Sequence, residues 1–527
     1  MKINIPKKYQ ALAWLILISS IIRIILANWI ELGNDEVYYY TYAAYPGWSH
    51  FDHPPMIGWV IQLFSLGSYL QSALLMRASS IFFAAINTWL IFELGCRIKN
   101  ERTGWYAALL YTSSLYTTLI AGVFIMPDTP QLFFWIFSLF LMIDILPDKD
   151  MVNSNKRRFL LLGLTIGLGM ISKYTTIFLW PGIFLYILFY NRNWFKSLSL
   201  YAAGLISIIV FSPVLIWNYI HHFISFTFHS DRVEMGSQGI RFDFIGTEIL
   251  GEFLYQNPVV FILVWVAVIY GWKNRGSFLE KKKFHFLLFQ SLPMIGVFLF
   301  ASLFRKTLPH WTGPAYVSLL LVGAAFLSRK NNGDLKMFPP IIKAAIISVS
   351  FILIIGGLQI NHGLVDLKKV IGNDISLDMY GWRQMKKPFK EIKEKAEQRQ
   401  LIQKNAPLVS FRWFPAAHLD YYVALPNNTH VLGWGSLERI HKYAWMNEKR
   451  GGYQLGMDAW FINMDNDLFS MDFTKDHFET VIPYDTISIS RSGKMVKQAY
   501  VYILKDLKKI PYDDFQAFMK KNEEKSE

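Results

Sequence analysis

Apolar runs of about twenty residues recur between residues 11 and 360 of this chain, and they restrict its possible folds more than any other feature. A helix of that length spans the hydrocarbon core of a bilayer, which is about 30 Å thick. The 527 residues are 53% hydrophobic and 17% charged, which is less charge than a soluble protein of this length carries. We therefore predict a mainly α-helical polytopic membrane protein.

The order of apolar and polar segments divides the chain into two predicted domains. Residues 1–360 form a transmembrane domain, and residues 361–527 form a small soluble α/β domain, because charge rises there and short apolar runs alternate with helical stretches. The segments 158–172 and 175–190 are either two short spans or one bent helix, and Gly163, Gly167 and Gly169 would allow close helix packing there. The eleven predicted spans cover residues 11–30, 77–98, 103–121, 127–147, 158–172, 175–190, 198–219, 256–272, 285–304, 310–328 and 339–360.

Basic residues are distributed unevenly between the two ends of these spans. With the N-terminus in the cytoplasm, the inside segments hold 20 Lys and Arg residues, and the outside loops before residue 310 hold 6. Membrane proteins keep basic loops on the cytoplasmic side. The loop 31–76 and the domain 361–527 are therefore predicted to lie outside, on the side of the membrane opposite the cytoplasm. The same loops account for the net charge of +14, so nucleic acid is not an expected partner.

The first outside loop combines carboxylates with aromatic residues. Residues 31–55 read ELGNDEVYYYTYAAYPGWSHFDHPP and contain no Lys or Arg. In glycosyl transfer, a carboxylate such as Asp35 can take the proton of an acceptor hydroxyl, and a second acid such as Glu36 can raise its pKa. Asp128, in the next outside loop, is the third candidate catalytic acid. The alternative for all three is capping of a helix N-terminus.

Several basic residues on the predicted outer side are candidates for binding a lipid phosphate. Arg offers two parallel hydrogen bonds to such an anion, and Lys offers a point charge. Lys173 is the strongest candidate, because apolar helices flank it and an unpaired charge there is costly. The alternative is that these side chains extend to lipid headgroups. The candidates are Lys173, Arg232, Arg305 and Lys306.

Other side chains in the same loops are candidates for substrate binding or metal binding. Histidines on the outer side, together with Asp or Glu, suit a divalent metal, but their spacing matches no compact metal motif, so a metal stays undecided. Cys96 is the only cysteine, which excludes internal disulfides. The candidates for substrate binding are Tyr39, Asp52, His53, Tyr174 and His310.

The segments that carry these residues resemble the GT-C glycosyltransferases of the protein O-mannosyltransferase and lipid A aminoarabinose transferase group, families 39 and 83. The resemblance implies a multi-pass enzyme that takes a sugar from a polyprenyl-phosphate donor and inverts the anomeric centre in one displacement. It assigns the acceptor base to Asp35, the second acid to Asp128, and the phosphate-binding bases to the neighbourhood of Lys173 and Arg232. The matching segments are DEVYYY, FDHPP, MPDTP, ISKYTTIFLWPG, SPVLIWNYIHHFISFTFHSDR and LPHWTGPAY, in the family's order between residues 31 and 316.

These observations predict a membrane glycosyltransferase. The expected donor is an undecaprenyl-phosphate-linked sugar held in the membrane lipid, and the expected acceptor is a glycolipid such as lipid A, a polysaccharide precursor or a protein. A non-catalytic transporter or flippase for lipid-linked sugars is the competing hypothesis, and a subunit of a polymer-assembly complex is the third. A transporter would place its charges near the bilayer midplane. The acids here cluster at one membrane face, which favours an enzyme.

Overall fold

A computed structural model describes residues 7–67, 72–233, 239–274, 277–329, 337–465 and 468–511. The chain divides into two compact units. The helical unit comprises Met1–Ala27 and His53–Ile354, and the mixed unit comprises Asn28–Asp52 and Ile355–Glu527. The start of the first outside loop therefore groups with the C-terminal part of the chain. The division after residue 360 stays a prediction about which residues lie in the membrane.

Helices dominate the described residues. Shorter 3₁₀ or π-helical turns cover Tyr116–Ile120, Tyr174–Phe178, Arg192–Lys196, Pro309–Thr312, Ile375–Met379, Trp382–Met385, Leu419–Ala424 and Leu425–Asn427. The α-helices are α1 (Lys7–Trp29), α2 (Asn34–Ala44), α3 (Met56–Phe64), α4 (Ala73–Ile98), α5 (Glu101–Ser113), α6 (Asp128–Ile145), α7 (Asn153–Met170), α8 (Leu179–Tyr190), α9 (Leu198–Ile220), α10 (Ile224–Val233), α11 (Phe242–Tyr255), α12 (Pro258–Lys273), α13 (Lys281–Phe289), α14 (Leu292–Ser302), α15 (Gly313–Leu327), α16 (Pro340–His362), α17 (Leu367–Ile371), α18 (Lys386–Gln398), α19 (Trp413–His418), α20 (Leu437–Ile440), α21 (Tyr443–Lys449) and α22 (Asp472–His477).

Seven helical segments among the described residues are long and apolar enough to cross a membrane, and α11 and α12 add an eighth span if this pair, bent by 104°, is counted as one. The predicted spans 103–121, 158–172 and 175–190 are also helical. The first of them is interrupted after α5, the second lies in a helix whose first turns are basic, and the third is short, so none meets the same criterion. The count of eleven stays a prediction. The seven segments are Tyr9–Trp29, Ala73–Ile98, Asp128–Ile145, Leu198–Ile220, Lys281–Ser302, Pro309–Leu327 and Pro340–His362.

The close helix packing predicted at Gly163 is present between α7 and α9. A Cβ atom on Gly163 would lie 2.2 Å from the carbonyl oxygen of Ala203, so only glycine permits this approach. Ser207 donates a hydrogen bond to the carbonyl oxygen of Gly163 at 2.6 Å. Small residues at helix crossings allow such close contacts in membrane proteins, where the hydrophobic effect does not drive helices together.

The mixed unit contains a five-stranded sheet in the order β2-β1-β3-β5-β4. Its strands are β1 (Leu408–Ser410), β2 (Val431–Gly433), β3 (Ala459–Met464), β4 (Phe478–Arg491) and β5 (Lys494–Leu507). Strand β1 is parallel to both β2 and β3, and the pairs β3–β5 and β4–β5 are antiparallel.

The burial of each strand follows from its place in the sheet. Every residue of β3 is buried, as expected for a central strand covered on both faces, and β4 at the edge exposes many of its residues. The amphipathic helix α18 places Phe389 against Trp460 of β3, with ring centroids 5.5 Å apart. The predicted fold class, a mainly α-helical polytopic protein with a small C-terminal α/β part, is confirmed.

Candidate active site

In the helical unit, the polar centre is formed around Asp128. The chain leaves α5, makes the π-helical turn Tyr116–Ile120, and enters α6 at Asp128. The carboxylate accepts a hydrogen bond from the Tyr116 hydroxyl at 2.9 Å and one from Lys173 Nζ at 2.7 Å. It bonds these two side chains and does not cap the backbone of α6. The capping alternative for the Asp128 side chain is therefore wrong.

Lys173 and Asp128 form a buried ion pair, with side chains 6% and 0% exposed. The prediction that a charge at Lys173 needs a partner agrees with this structure, but the partner is a carboxylate of the same unit. A direct contact between Lys173 and a lipid phosphate stays a prediction. In such a contact the ammonium group of Lys173 would be shared between the phosphate and Asp128.

His310 and Tyr174 lie at the edge of this centre. His310 is half-buried, interacts electrostatically with Asp128 and Lys173, and has its ring 6.0 Å from that of Tyr255. Tyr174 directly follows Lys173 and is half-buried against the ring of Phe211 at 6.0 Å. Their positions in the helical unit are compatible with the predicted role in substrate binding, which stays a prediction.

The other predicted bases and His53 are less enclosed. Arg305 and His53 are half-buried, and Lys306 is exposed. Arg305 and Lys306 are the third and fourth residues after the end of α14. Arg232 lies in α10, but its side chain falls outside the described residues. Phosphate binding by these bases, and substrate binding by His53, stay predictions.

Two buried carboxylates on α11 were missed by the sequence analysis. Glu248 accepts a hydrogen bond from the Thr307 hydroxyl at 2.6 Å. Glu252 accepts from Thr312 at 2.6 Å and from Tyr316 at 2.8 Å. Acids four residues apart on an otherwise apolar segment are the signal that would have found them, because such residues share one helix face.

In the mixed unit, the adjacent acids Asp35 and Glu36 in the first turn of α2 differ in burial and in hydrogen bonding. Glu36 is 2% exposed, and its Oε2 atom accepts the backbone N–H of Gly33 at 2.8 Å. Its carboxylate thus caps the helix that contains it, as the capping alternative predicted. Asp35, in the same first turn, is exposed. A carboxylate in this position is stabilised by the positive end of the helix dipole.

Residues of the C-terminal part hold the N-terminus of α2 from several sides. The Tyr422 hydroxyl accepts the backbone N–H of Leu32 at 2.8 Å, and the Glu31 carboxylate accepts the backbone N–H of Trp382 at 2.9 Å. His418 Nε2 lies 3.0 Å from Asn34 Oδ1. Burial, and then the charge of Lys497, hold the pKa of His418 well below its usual value, so the ring is neutral and donates this bond.

Asp52 anchors the middle of α2. Its Oδ1 atom accepts hydrogen bonds from the hydroxyls of Tyr38, at 2.8 Å, and Tyr42. Burial and then the Asp52 charge raise the pKa of both phenols well above its usual value, so both stay protonated and donate. Tyr39 is 3% exposed, with its ring 5.4 Å from that of Tyr42. Both predicted substrate ligands, Asp52 and Tyr39, are thus packed inside this unit, and contact with substrate stays a prediction.

A buried lysine completes this part of the mixed unit. Lys442 Nζ donates to the carbonyl oxygen of Tyr45 at 2.6 Å and lies 4.6 Å from the centroid of the Tyr42 ring. Burial lowers the pKa of Lys442 well below its usual value. No feature of the local sequence distinguishes this lysine from the exposed ones.

The described residues contain no group of three or more His, Cys, Asp or Glu side chains that could hold a metal ion. The ligand set that a resident divalent metal needs is therefore not found in the described part of either unit.

Comparison with known proteins finds a protein family, a curated relative and solved structures that resemble this chain. Residues 52–217 match the dolichyl-phosphate-mannose-protein mannosyltransferase family. The lipid A galacturonosyltransferase RgtD of Rhizobium johnstonii is 22% identical over 319 residues, which is 60% of this chain and 65%, just under two thirds, of that protein. ArnT from Cupriavidus metallidurans, in its structure bound to undecaprenyl phosphate, matches with a TM-score of 0.61 and 12% identity, over 93% of this chain and 97% of that one.

The structural match covers almost the whole length of both chains, so the two proteins share one fold. The apo structure of the same ArnT gives a TM-score of 0.58 over 94% of this chain and 98% of that one. The resemblance inferred from the loop motifs is confirmed. The family match, the curated relative and the shared fold are thus all similarities of this polytopic membrane protein to membrane glycosyltransferases of the GT-C superfamily.

Proposed function

We propose that this protein is an inverting glycosyltransferase that moves a sugar from a polyprenyl-phosphate donor to a hydroxyl group of an acceptor. The donor lipid is undecaprenyl phosphate, and the acceptor is a glycolipid, a polysaccharide or a protein. The matches support this proposal, because ArnT was solved with undecaprenyl phosphate and RgtD is described as acting on lipid A.

The observation that carries the proposal is the different environment of two adjacent carboxylates in the first turn of α2. Glu36 is buried and bonded to Gly33, whereas Asp35 is exposed in the same turn. The backbone of this turn is fixed by the bonds of Leu32 and Asn34 to the C-terminal part. An exposed carboxylate on a fixed backbone is what a general base needs to meet an acceptor hydroxyl repeatedly in one geometry.

In the proposed reaction, the acceptor oxygen attacks the anomeric carbon of the donor sugar on the face opposite the phosphate. The new C–O bond forms as the bond between the anomeric carbon and the phosphate oxygen breaks. Asp35 takes the proton of the acceptor hydroxyl, and polyprenyl phosphate leaves with the bonding electron pair. A single displacement of this kind inverts the anomeric configuration.

We assign the leaving phosphate to the centre around Asp128. Lys173 supplies the positive charge, and Asp128 holds and orients its ammonium group. Arg232, Arg305 and Lys306 are the further cations proposed to meet the phosphate. Charge neutralisation at a leaving group is worth most where water is excluded, and the pair lies in such a place.

The proposed location is the outer face of a bacterial inner membrane, with the C-terminal part in the periplasm. The support is the uneven distribution of Lys and Arg between the predicted inside and outside segments. Polyprenyl-linked donors present their sugars at a membrane face, which fits the position of Asp35 shortly after α1 and of Asp128 at the start of α6.

Transfer by the purified protein tests the proposed function against the transporter hypothesis. The full chain in nanodiscs is incubated with a bacterial total lipid extract that contains radiolabelled polyprenyl-phosphate sugars. Label in a new product, with release of one polyprenyl phosphate for each sugar, supports the transferase. NMR of the product should show the inverted anomeric configuration. Label that stays on its donor lipid contradicts the proposal and favours a transporter.

A further inference from the structure

The parallel part of the sheet in the mixed unit creates a reversal of strand order at β1. The chain passes from β1 to β2 on one side of it, and then crosses to β3 on the other side. In open α/β sheets, the connections on the two sides of such a point diverge and leave a crevice outside the carboxyl ends of the strands, where ligands bind.

A cavity of 550 Å³ lies at this point. Its lining comes from the residues that follow all three parallel strands. Phe411 follows β1, and Trp434, Gly435 and Ser436 follow β2 directly, with Arg439 one turn later. Phe469 and Ser470 come from the segment after β3. The cavity is therefore a product of the strand order and is built by three separate loops.

The chemistry of this lining suits a sugar ring. The ring of Phe411 lies 5.4 Å from that of Phe469 and 5.8 Å from that of Trp434, so the three aromatic side chains that line the cavity form one cluster. Phe411 and Trp434 are buried in this cluster, and Phe469 is half-buried. Aromatic faces pack against the C–H face of a pyranose, and the hydroxyls of Ser436 and Ser470 can bond its hydroxyl groups. Gly435 has a φ of +146°, which a residue with a side chain rarely adopts.

One guanidinium group lines this crevice, and a second lies against one of its lining side chains. Arg439 lines the cavity and is exposed. The guanidinium of Arg412 lies 4.7 Å from the centroid of the Phe469 ring. Guanidinium groups bind phosphate or carboxylate oxygens through paired hydrogen bonds, which favours a ligand with a negative charge.

We propose that this crevice binds an anionic saccharide, a sugar ring that carries a phosphate or a carboxylate. The segment that lines it also supports α2. Trp413, two residues after Phe411, contacts the Tyr38 ring at 5.1 Å, and His418 bonds Asn34. The saccharide is therefore assigned to a non-reacting part of the acceptor, an assignment that rests on the proposed function, whereas the binding site itself does not.

Direct binding of small sugars to the full-length protein tests this site without using transfer activity. The probes are glucose 6-phosphate, glucuronic acid and neutral glucose, and the measurement is isothermal titration calorimetry in detergent. The variant is Arg439→Gln, with Arg399→Gln as the matched control, because Arg399 is an exposed arginine of the same unit that does not line the cavity.

We expect at least one anionic sugar to bind the wild type and Arg399→Gln alike, glucose to bind more weakly, and Arg439→Gln to lose about tenfold in affinity for the anionic probe. The probe that binds better shows whether the anion is a phosphate or a carboxylate. No binding of either anionic probe, or equal affinity in Arg439→Gln, overturns the proposal. Sugar binding without any transfer activity would leave this site standing and refute the proposed function instead.

Discussion

The buried pair of Asp128 and Lys173 allows a prediction about stability that also separates structure from chemistry. Lys173→Met keeps most of the aliphatic side chain and removes the charge. In the described structure, Asp128 would then keep one hydrogen bond, from Tyr116. Removal of one partner from a buried ion pair typically costs about 3–5 kcal/mol, because the other charge stays buried and uncompensated. With side chains 6% and 0% exposed, this pair belongs to that class.

The double variant Asp128→Asn/Lys173→Met removes both charges and leaves no uncompensated group. Replacement of a whole buried pair is often close to neutral, so the double variant should recover most of the stability that Lys173→Met loses. The assay is thermal unfolding of wild type, both single variants and the double variant in one detergent. If the double variant is as unstable as the sum of the single variants, the reasoning about the ion pair is refuted.

The same set of proteins tests the phosphate assignment of Lys173. If Lys173 contacts the donor phosphate, the well-folded double variant should bind the donor lipid at least about tenfold more weakly than wild type, the loss expected for a charged hydrogen bond. Unchanged affinity in that variant would assign the phosphate to Arg232, or to Arg305 and Lys306.

Three further predictions concern other parts of the chain. With the native cysteine replaced, a cysteine at Ser436 should react with a membrane-impermeant thiol reagent in intact spheroplasts, and one at Ser154 should not; the reverse pattern would overturn the outer-face assignment. His418→Ala should lower kcat by about 10–100-fold with little change in donor KM, because the N-terminus of α2 loses the hydrogen bond between His418 and Asn34. An unchanged kcat would show that His418 does not position α2 for transfer. Burial lowers the pKa of Lys497 from 10.5 to about 8, so the folded state binds fewer protons than the unfolded state between these two pH values, and the free energy of unfolding should rise with pH there. In Lys497→Met this rise should be about 3 kcal/mol smaller. Identical pH profiles of stability in the wild type and the variant would contradict this prediction.

The features predicted well from the sequence are those with a local cause. Apolar runs long enough to span a bilayer became helices, and the change in composition after residue 360 marked the part that contains the sheet. Gly163 indicated a close helix crossing because only the smallest residue permits one. The loop motifs pointed to the superfamily that the comparisons support.

The features missed depend on contacts between distant parts of the chain. The sequence left capping and catalysis open for Asp35 and Glu36, and only the folded helix shows that Glu36 is buried and Asp35 is exposed. The sequence indicated that a buried charge at Lys173 needs a partner. That partner, Asp128, lies 45 residues away, a separation at which residue spacing does not indicate contact. The bond between Leu32 and Tyr422 joins residues 390 positions apart and could not be read from either segment.

If Asp35 is the general base of the sugar transfer, single-turnover transfer rates will depend on its carboxylate. The comparison is wild type, Asp35→Asn and Glu36→Gln, at saturating polyprenyl-phosphate sugar. Asp35→Asn keeps the size of the side chain and should lower the rate by about 10²–10⁴, the usual loss for one general base. Glu36→Gln keeps an oxygen that can accept the Gly33 N–H, so it should stay within about tenfold of wild type. A wild-type rate in a folded, donor-binding Asp35→Asn variant would show that Asp35 is not the general base.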